Sequence, residues 1–488
     1  MAHTSAEGLD LEATVSFARN EGGPALRALT LAERAAILDD MAKRIHEHRN
    51  ELLELAMING GNTRSDAKFD VDGAAGALAH YATIGKELGD TRVIVDGEGE
   101  QVGQSPRLSG RHVYLPRKGV ALLINAFNFP AWGFGEKAAC ALLAGMPVIC
   151  KPATSTALVA ARMLELIADA APPGVVSFVS GSAHDLPKLL GYGDAIAFTG
   201  SSGTAKRLRA LPNVMSAAVR LNIEADSLNA AVLGPDLEPG SDTWELFLRD
   251  LRREMTQKTG QKCTATRRIF VPEDRADVLI EALIDRLGTI HVGDPFTEGV
   301  RMGPVASAQQ HGDVLDGIGQ LAESCEVVLD GRPDAGKLEL QGAEIGTGYF
   351  VGPTLLEVAH DAPSKVHDLE VFGPVATIVT TPGTPEVYGE LLARGGGGLV
   401  GSVYSDDRKF AADMLMEAAP HHGRLVFGSK KVAEKAFSPG MVLPQLLHGG
   451  PGRAGGGEEL GGLRGIAIYA QRTAIQADRA LIDAMLKA

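Results

Sequence analysis

The sequence predicts an α/β protein built on two parallel, helix-covered sheets. Three observations carry this. Between about Gly119 and Asn229, short apolar runs alternate with helical segments. The alternation resumes after a helical segment over 242–258. The composition, 45% hydrophobic and 22% charged over 488 residues, suits a chain that buries a large core. Apolar strands with helices between them mean a sheet covered on both faces.

The elements follow in order. Residues 30–55 carry apolar side chains at Leu31, Ala35, Leu38, Met41, Ile45, Leu52 and Leu55, a helical stripe, with Thr30 and Glu33 spaced as a capping box. Strands are expected over 120–126, 147–151, 175–180, 195–199 and 219–223, with helices over 132–144, 154–170, 185–190 and 204–210. In such a sheet ligands bind at the carboxyl ends, where Asn128, Lys151, Gly181 and Gly200 stand. The second half repeats the pattern with elements over 268–272, 276–287, 351–358, 375–380, 399–404 and 424–428. Segments 104–117 and 466–476 are extended and belong to neither sheet, which suggests edge strands that pair elsewhere in the fold or with another subunit. The expected division is a cofactor-binding domain over 1–103 and 118–255, a catalytic domain over 256–462, and an arm made of 104–117 and 463–488.

Charge and composition narrow the partners. Lys and Arg number 47 against 61 Asp and Glu, a net charge of −14, which disfavours nucleic acid and anionic membrane. No apolar run reaches membrane-spanning length, and the N-terminus shows no signal-peptide pattern, so a cytoplasmic protein is expected. Four cysteines without a CxxC or Cys/His cluster suggest neither a disulfide framework nor a metal site. Glycine is in surplus, 59 residues, with clusters at 395–398 and 449–465.

Four motifs bear on chemistry. Cys263, in Thr259-Gly-Gln-Lys-Cys-Thr-Ala265, is flanked by basic residues that favour a thiolate; the plainer reading is a loop cysteine. Cys140 and Cys150 sit in apolar runs and read as core filler. Glu224 and Asp226 end a strand, as a general base provided burial raises the carboxyl towards neutrality, or as solvated acids. Asn128, between two phenylalanines and before Pro130, offers a fixed amide for an oxyanion, or a helix cap. Phe198-Thr-Gly-Ser-Ser-Gly203 is a strand–turn–helix that would meet a phosphate, or a tight turn; no GxGxxG fingerprint follows a strand.

In this order and spacing, Asn128-Phe-Pro, Lys151-Pro-Ala, Phe198-Thr-Gly-Ser201, Glu224, Gly260-Gln-Lys-Cys263, Glu370-Val-Phe-Gly-Pro374 and Gly457-Glu-Glu-Leu-Gly461 resemble the aldehyde dehydrogenase superfamily. Ile223-Glu-Ala-Asp-Ser-Leu-Asn229, the run from His448 to Leu463, and the opening Ser5-Ala-Glu-Gly-Leu-Asp10 resemble a narrower group. That group comprises the dehydrogenase half of the bifunctional ring-opening protein of phenylacetate degradation and the CoA-semialdehyde dehydrogenase of aerobic benzoyl-CoA degradation. The resemblance implies a Rossmann-like cofactor domain, a second α/β catalytic domain and a β bridging arm. It implies Cys263 as nucleophile, Asn128 as oxyanion donor, Glu224 as base and Glu459 as a proton-relay partner. It further implies Lys151, Gly200, Ser201, Glu370 and Phe372 around a nicotinamide cofactor, a CoA-linked aldehyde substrate, and a homodimer or dimer of dimers.

The departures from the family pattern sharpen this. Thr154 stands where NAD-preferring members carry glutamate, so NADP is expected, with NAD possible. Ala225-Asp-Ser-Leu228 replaces the usual leucine-glycine-glycine-lysine, Glu458 replaces an arginine, and Ala205 replaces a frequent glycine. The family usually has a few dozen residues before the point where this sequence begins, so an N-terminal strand segment is expected to be missing. No hydratase-type half follows Ala488, so the dehydrogenase part alone is expected. The competing readings are a dehydrogenase of free aldehydes, a cysteine thioester hydrolase, and an inactive cofactor-binding scaffold.

Overall fold

A computed structural model describes residues 5–486; the last two residues of the expected arm lie outside it. Five parallel strands form the first sheet in the order Val176–Phe178, Val148–Lys151, Ala121–Ile124, Ala195–Thr199, Arg220–Glu224. The chain order reverses between Ala121–Ile124 and Ala195–Thr199, and this switch point opens a crevice at the carboxyl ends of both strands. Glu224 is the last residue of its strand, one beyond the expected end.

The helix Trp132–Leu143 is buried at all 12 positions, because it lies between this sheet and the long helix Arg64–Leu88. Two of its residues, Glu136 and Lys137, are charged. Helix Arg64–Leu88 has no counterpart in the sequence reading. Its buried face is largely Ala67, Ala74, Ala77, Ala82 and Gly85, small residues that blur an apolar stripe. The single helix expected over 30–55 is in fact two, Leu31–Glu47 and Arg49–Gly60, divided at His48, whose φ of −96° and ψ of 15° leave helical geometry. The capping box at its start is complete: Glu33 N donates to Thr30 Oγ1 at 3.2 Å and Thr30 N to Glu33 Oε2 at 2.7 Å.

The second sheet has seven strands, in the order Glu326–Leu329, Thr354–Ala359, Val375–Thr381, Arg268–Pro272, Ala230–Leu233, Gly398–Tyr404, His422–Gly428. All pair in parallel except the edge strand Glu326–Leu329. Strand Ala230–Leu233 lies inside this sheet, and helix Asp242–Thr256 packs on it through Phe247, Leu251 and Met255 against Ile269 and Val271. The crossover between sheets therefore falls between Glu224 and Ala230, earlier than the boundary expected at 255/256. The arm also differs from expectation. Ile94–Gln101, placed by sequence with the cofactor half, pairs with Leu108–Pro116, which pairs in turn with Ala470–Asp478 along its whole length. An antiparallel hairpin partner reaches the arm more readily than a parallel, apolar sheet, since 94–101 is polar and exposed beyond Ile94.

The two glycine clusters meet. A Cβ at Gly397, where φ is +113°, would lie 2.1 Å from Pro451 O, so backbone packs on backbone without side chains between. The same run continues onto the strand ending at Glu224: Gly457 N donates to Ile223 O at 3.0 Å and Ala225 N to Ala454 O at 2.9 Å. At Gly455, φ is +110° and a Cβ would sit 2.2 Å from Ile223 O. Gly455→Ala is expected to destabilise the fold by roughly 2 kcal/mol or more, seen as a lower midpoint of denaturant unfolding. An unchanged midpoint would show that this contact does not constrain the loop.

Candidate active site

Cys263 follows three successive residues in the left-handed region, Lys258 (φ 53°), Thr259 (φ 55°) and Gly260 (φ 66°). Side chains resist that conformation, so the loop is held from outside. Thr259 Oγ1 donates to Gly303 O at 2.9 Å, and the Lys258 ammonium lies 4.4 Å from the centroid of the Phe129 ring. The buried Arg267 guanidinium donates to the carbonyls of Gly260, Lys262 and Gly373. Asn229 Nδ2 donates to the carbonyls of Cys263 at 2.7 Å and Ala265 at 2.9 Å. Cys263 alone among the four cysteines is not fully buried. Burial pushes the Cys140 and Cys150 thiols up to about 12, which fits core filler.

Polar atoms of Cys263, Glu224 and His448 all lie within 4.8 Å of one another. His448 belongs to the strand Leu447–Gly449, which pairs with Glu458–Leu460 and places His448 opposite Glu459. Its Nε2 is 3.1 Å from Glu224 Oε2, with both side chains buried. Burial works to raise the Glu224 carboxyl, but the imidazolium opposes it and holds the group down at about 2. Burial likewise works to lower His448, and Glu224 outweighs it, so the imidazole stays protonated above its usual range. Burial pushes the Cys263 thiol well up, and the adjacent Glu224 carboxylate acts in the same direction. The arrangement is an imidazolium, a carboxylate and a thiol in contact. Among the described residues Glu224 Oε1 has no hydrogen-bond partner, which leaves it open to accept a proton. These three residues are also a set of donors able to hold a metal ion, which their separation in the sequence concealed.

A second charged layer lies behind the first. Carboxylate oxygens of Glu136, Glu224 and Glu459 lie within 4.8 Å of one another. Lys137 Nζ is 2.7 Å from Glu136 and 3.2 Å from Glu459, and Asn222 Nδ2 donates to Glu459 Oε1 at 2.9 Å. Burial raises Glu136 to about 7. Lys137 stays charged because Glu136 and Glu459 outweigh its burial. Glu459 was singled out by sequence; Glu136, Lys137, Asn222 and His448 were not. A charged pair within the apolar run Trp132–Leu143 was the available signal for the first two.

The tunnel to Cys263 is walled by Phe69, Phe129, Trp132 and Val442, with Asn128, Thr199 and Thr264 as polar points. The three aromatic rings meet edge to face at 5.0–5.9 Å. Asn128 Nδ2 donates to Gln261 O at 3.0 Å, which fixes its amide against the nucleophile loop. That amide nitrogen carries a second N–H, and no other protein acceptor takes it among the described residues.

The cofactor candidates lie at the carboxyl ends of the first sheet. Lys151 ends its strand, with Nζ donating to Pro152 O at 3.2 Å and burial lowering its pKa. Thr154 is exposed at the start of a short 3-10 turn. Gly200 and Ser201 follow the strand Ala195–Thr199, and Ser201 caps helix Ser202–Arg209 by accepting from Thr204 N. Asp226 Oδ1 accepts from Ser202 N at 3.0 Å, so this helix start already carries a carboxylate. Glu370 Oε2 accepts from Ser227 N at 3.0 Å; burial raises this carboxyl to about 7 against the pull of Arg267. Phe372 lies under the Arg267 guanidinium at 5.4 Å and meets Phe127 at 5.8 Å. Among the described residues Ser180 Oγ and Thr199 Oγ1 are buried without hydrogen-bond partners, and Glu370 Oε1 meets only the Arg267 guanidinium, at 3.7 Å. Unpaired hydroxyls at or just past the ends of strands in the first sheet, with a carboxyl that keeps accepting capacity beside them, are what the ribose hydroxyls and amide of a nicotinamide nucleotide would satisfy, so these residues fit such a cofactor.

Comparison with known proteins agrees with this geometry. Residues 2–458 match the sequence profile of the aldehyde dehydrogenase family. The chain is 44% identical over 454 residues to the 3,4-dehydroadipyl-CoA semialdehyde dehydrogenase of Aromatoleum evansii, covering 92% of this chain and 87% of that protein. It is 29% identical to retinal dehydrogenase 2 of Mus musculus, covering 94% and 83%. Among solved structures, betaine aldehyde dehydrogenase of Staphylococcus aureus in complex with NAD+ superposes with a TM-score of 0.80 at 25% identity, over 96% of this chain and 87% of that one. PnpE of Pseudomonas sp. WBC-3 superposes with a TM-score of 0.82 at 26% identity, over 97% and 91%. The chain is an oxidoreductase that belongs to the aldehyde dehydrogenase family.

Proposed function

We propose that the protein oxidises a CoA-thioester-linked semialdehyde, derived from an opened aromatic ring, to the carboxylic acid with NADP+ as the preferred acceptor and NAD+ as a possible one. The contact of Cys263 with Glu224 at the end of an aromatic-walled tunnel carries the reaction type. The identity to a CoA-semialdehyde dehydrogenase supports the substrate class.

Glu224 takes the proton of the Cys263 thiol, and the thiolate adds to the aldehyde carbon. The new oxyanion is held by the free N–H of Asn128 and the backbone N–H of Cys263. The nicotinamide, when bound, supplies the hydride acceptor. Lys151 and Glu370 would hold its ribose hydroxyls, Gly200 and Ser201 would flank its pyrophosphate, and Phe372 would lie beside it. The Cys263 thioester that remains is hydrolysed by a water from which Glu224 removes a proton. Glu459, with Glu136 and Lys137 beside it, passes that proton onward and returns Glu224 to its ionised form. The strands up to Glu224 form the cofactor half and those after Ala230 the catalytic half. The free edge of strand Ala470–Asp478 supports assembly into a homodimer or dimer of dimers. Among the described residues no helix is long and apolar enough to cross a membrane; with the acidic surface and unpaired cysteines this supports a cytoplasmic protein.

Cys263→Ala is expected to abolish aldehyde-dependent cofactor reduction. Glu224→Gln is expected to slow the first burst of reduced cofactor, through loss of thiol deprotonation, and to slow steady turnover about 10²–10⁴-fold, through loss of water activation as well. Stopped-flow absorbance at 340 nm separates these outcomes; sustained turnover in Cys263→Ala would defeat the mechanism, and cofactor-free thioester cleavage would favour a hydrolase.

His448 keeps Glu224 ionised in acid. In His448→Gln burial is opposed only by Lys137 and the Cys263 thiol, so the acidic limb of the kcat/KM profile is expected to move up. A limb that does not move would show that His448 leaves Glu224 unaffected.

Thr154→Glu places a carboxylate where a 2′-phosphate would lie. The ratio of kcat/KM for NADP+ over NAD+ is expected to fall by about tenfold or more. An unchanged ratio would remove Thr154 from cofactor choice.

A further inference from the structure

A cavity of about 900 Å³ opens at the outer end of the tunnel and shares Phe69, Trp132 and Val442 with it. Its inner wall is apolar, while its rim is not. Arg249, Arg252 and Arg253, from helix Asp242–Thr256, stand three and four residues apart and so present one face to the cavity. Lys68 and Arg301 approach from two other elements. The acids nearby are already engaged: Asp72 is held by Arg49 through two hydrogen bonds, and Asp66 is buried and takes the Thr63 hydroxyl at 2.7 Å.

Elsewhere on this protein, exposed cations sit beside acids, as in Arg162 with Glu51 and Lys409 with Asp413. At the mouth, Arg252, Arg253, Arg301 and Lys68 have no hydrogen bond or ion pair from their side chains among the described residues. Arg249 is oriented by Ala433 O at 2.8 Å, with Asp250 at 3.5 Å. Arginine at a helix C-terminus also complements the helix dipole, but that needs one cation in the last turn and brings none from other elements. Five converging cations on a chain of net charge −14 mark a site for an anion.

We propose that this cavity binds the phosphorylated adenosine tail of a CoA-linked substrate, whose pyrophosphate and 3′-phosphate pair with Arg252, Arg253, Arg301, Lys68 and Arg249. The pantetheine arm then runs past Phe69, Trp132 and Val442 towards Cys263. This rests on the substrate reading above and adds the residues that would select for it. Guanidinium forks suit phosphate oxygens, and the volume lies in the range of nucleotide-sized sites. The cofactor would lie among Lys151, Gly200, Ser201 and Glu370, none of which lines this cavity, so two phosphorylated ligands would enter by separate routes.

The test compares the full-length protein with Arg252→Glu/Arg253→Glu, and with the milder Arg253→Gln and Arg301→Gln should the double variant misfold. At saturating NADP+, kcat/KM is measured for a six-carbon CoA-linked semialdehyde and for hexanal. The ratio between the two substrates is expected to fall at least tenfold in the double variant, through KM. Adenosine 3′,5′-bisphosphate is expected to inhibit hexanal oxidation by the wild type at saturating NADP+, less so as salt rises, and not by the double variant. A wild-type preference for the CoA-linked substrate that the variants retain overturns this inference and leaves the substrate reading standing. Absence of any preference in the wild type overturns both. Equal losses on both substrates mark the arginines as structural and overturn the inference alone.

Discussion

Three buried carboxylates, Glu136, Glu224 and Glu459, share a space of under 4.8 Å, and everything around them answers that crowding. Bare carboxylates do not persist at such density in a low-dielectric interior. Two cations are set among them: Lys137 between Glu136 and Glu459, and His448 against Glu224. The helix Trp132–Leu143 is buried on all sides yet carries one acid and one base of this group, because the partners they need lie inside the protein. The result is a carboxylate, Glu224, that remains ionised while buried, with an acid of intermediate character, Glu136, close by.

Cys263 is fixed by the same economy of backbone. Its loop runs through three left-handed residues and is held at its carbonyls by Arg267 and Asn229, so the position of the sulfur depends on two polar side chains rather than on apolar packing. The glycine-rich run 449–465 serves the other side. Lacking side chains, it lies directly on the strand that ends at Glu224 and delivers His448 and Glu459 to one hairpin. The cluster at 395–398 packs against this run, so both glycine surpluses belong to one close-packed patch.

Much of this was legible in the sequence. The five strands of the first sheet run apolar between helices, and the capping box at Thr30 is local chemistry; both register in sequence because short-range periodicity decides them. Glu224, Cys263 and Glu459 stood out by motif. His448 did not, since a histidine gains its role here from a carboxylate 224 residues earlier in the chain. Helix Arg64–Leu88 was missed because alanine and glycine make its buried face, chosen for close approach to Trp132 rather than for hydrophobicity. The break at His48 and the early crossover before Ala230 were missed for a common reason. Strand membership and helix direction are set by the neighbours an element meets, and the local pattern does not name them.

That crossover has a mechanical consequence. Glu224 closes the first sheet and Ala230 opens the second, with Asn229 between them holding the carbonyl of Cys263. The crossover between the two sheets therefore coincides with the cluster of Glu224, Cys263 and His448. A rotation of one half on the other works on a short lever arm there, and the distance from carboxylate to sulfur barely changes. The strand leading to Lys151 and Thr154 stands three strand spacings away, about 14 Å, and swings through a wider arc. Any rotation of one half on the other would thus widen the space beside Lys151 and Thr154 more than the gap between Glu224 and Cys263.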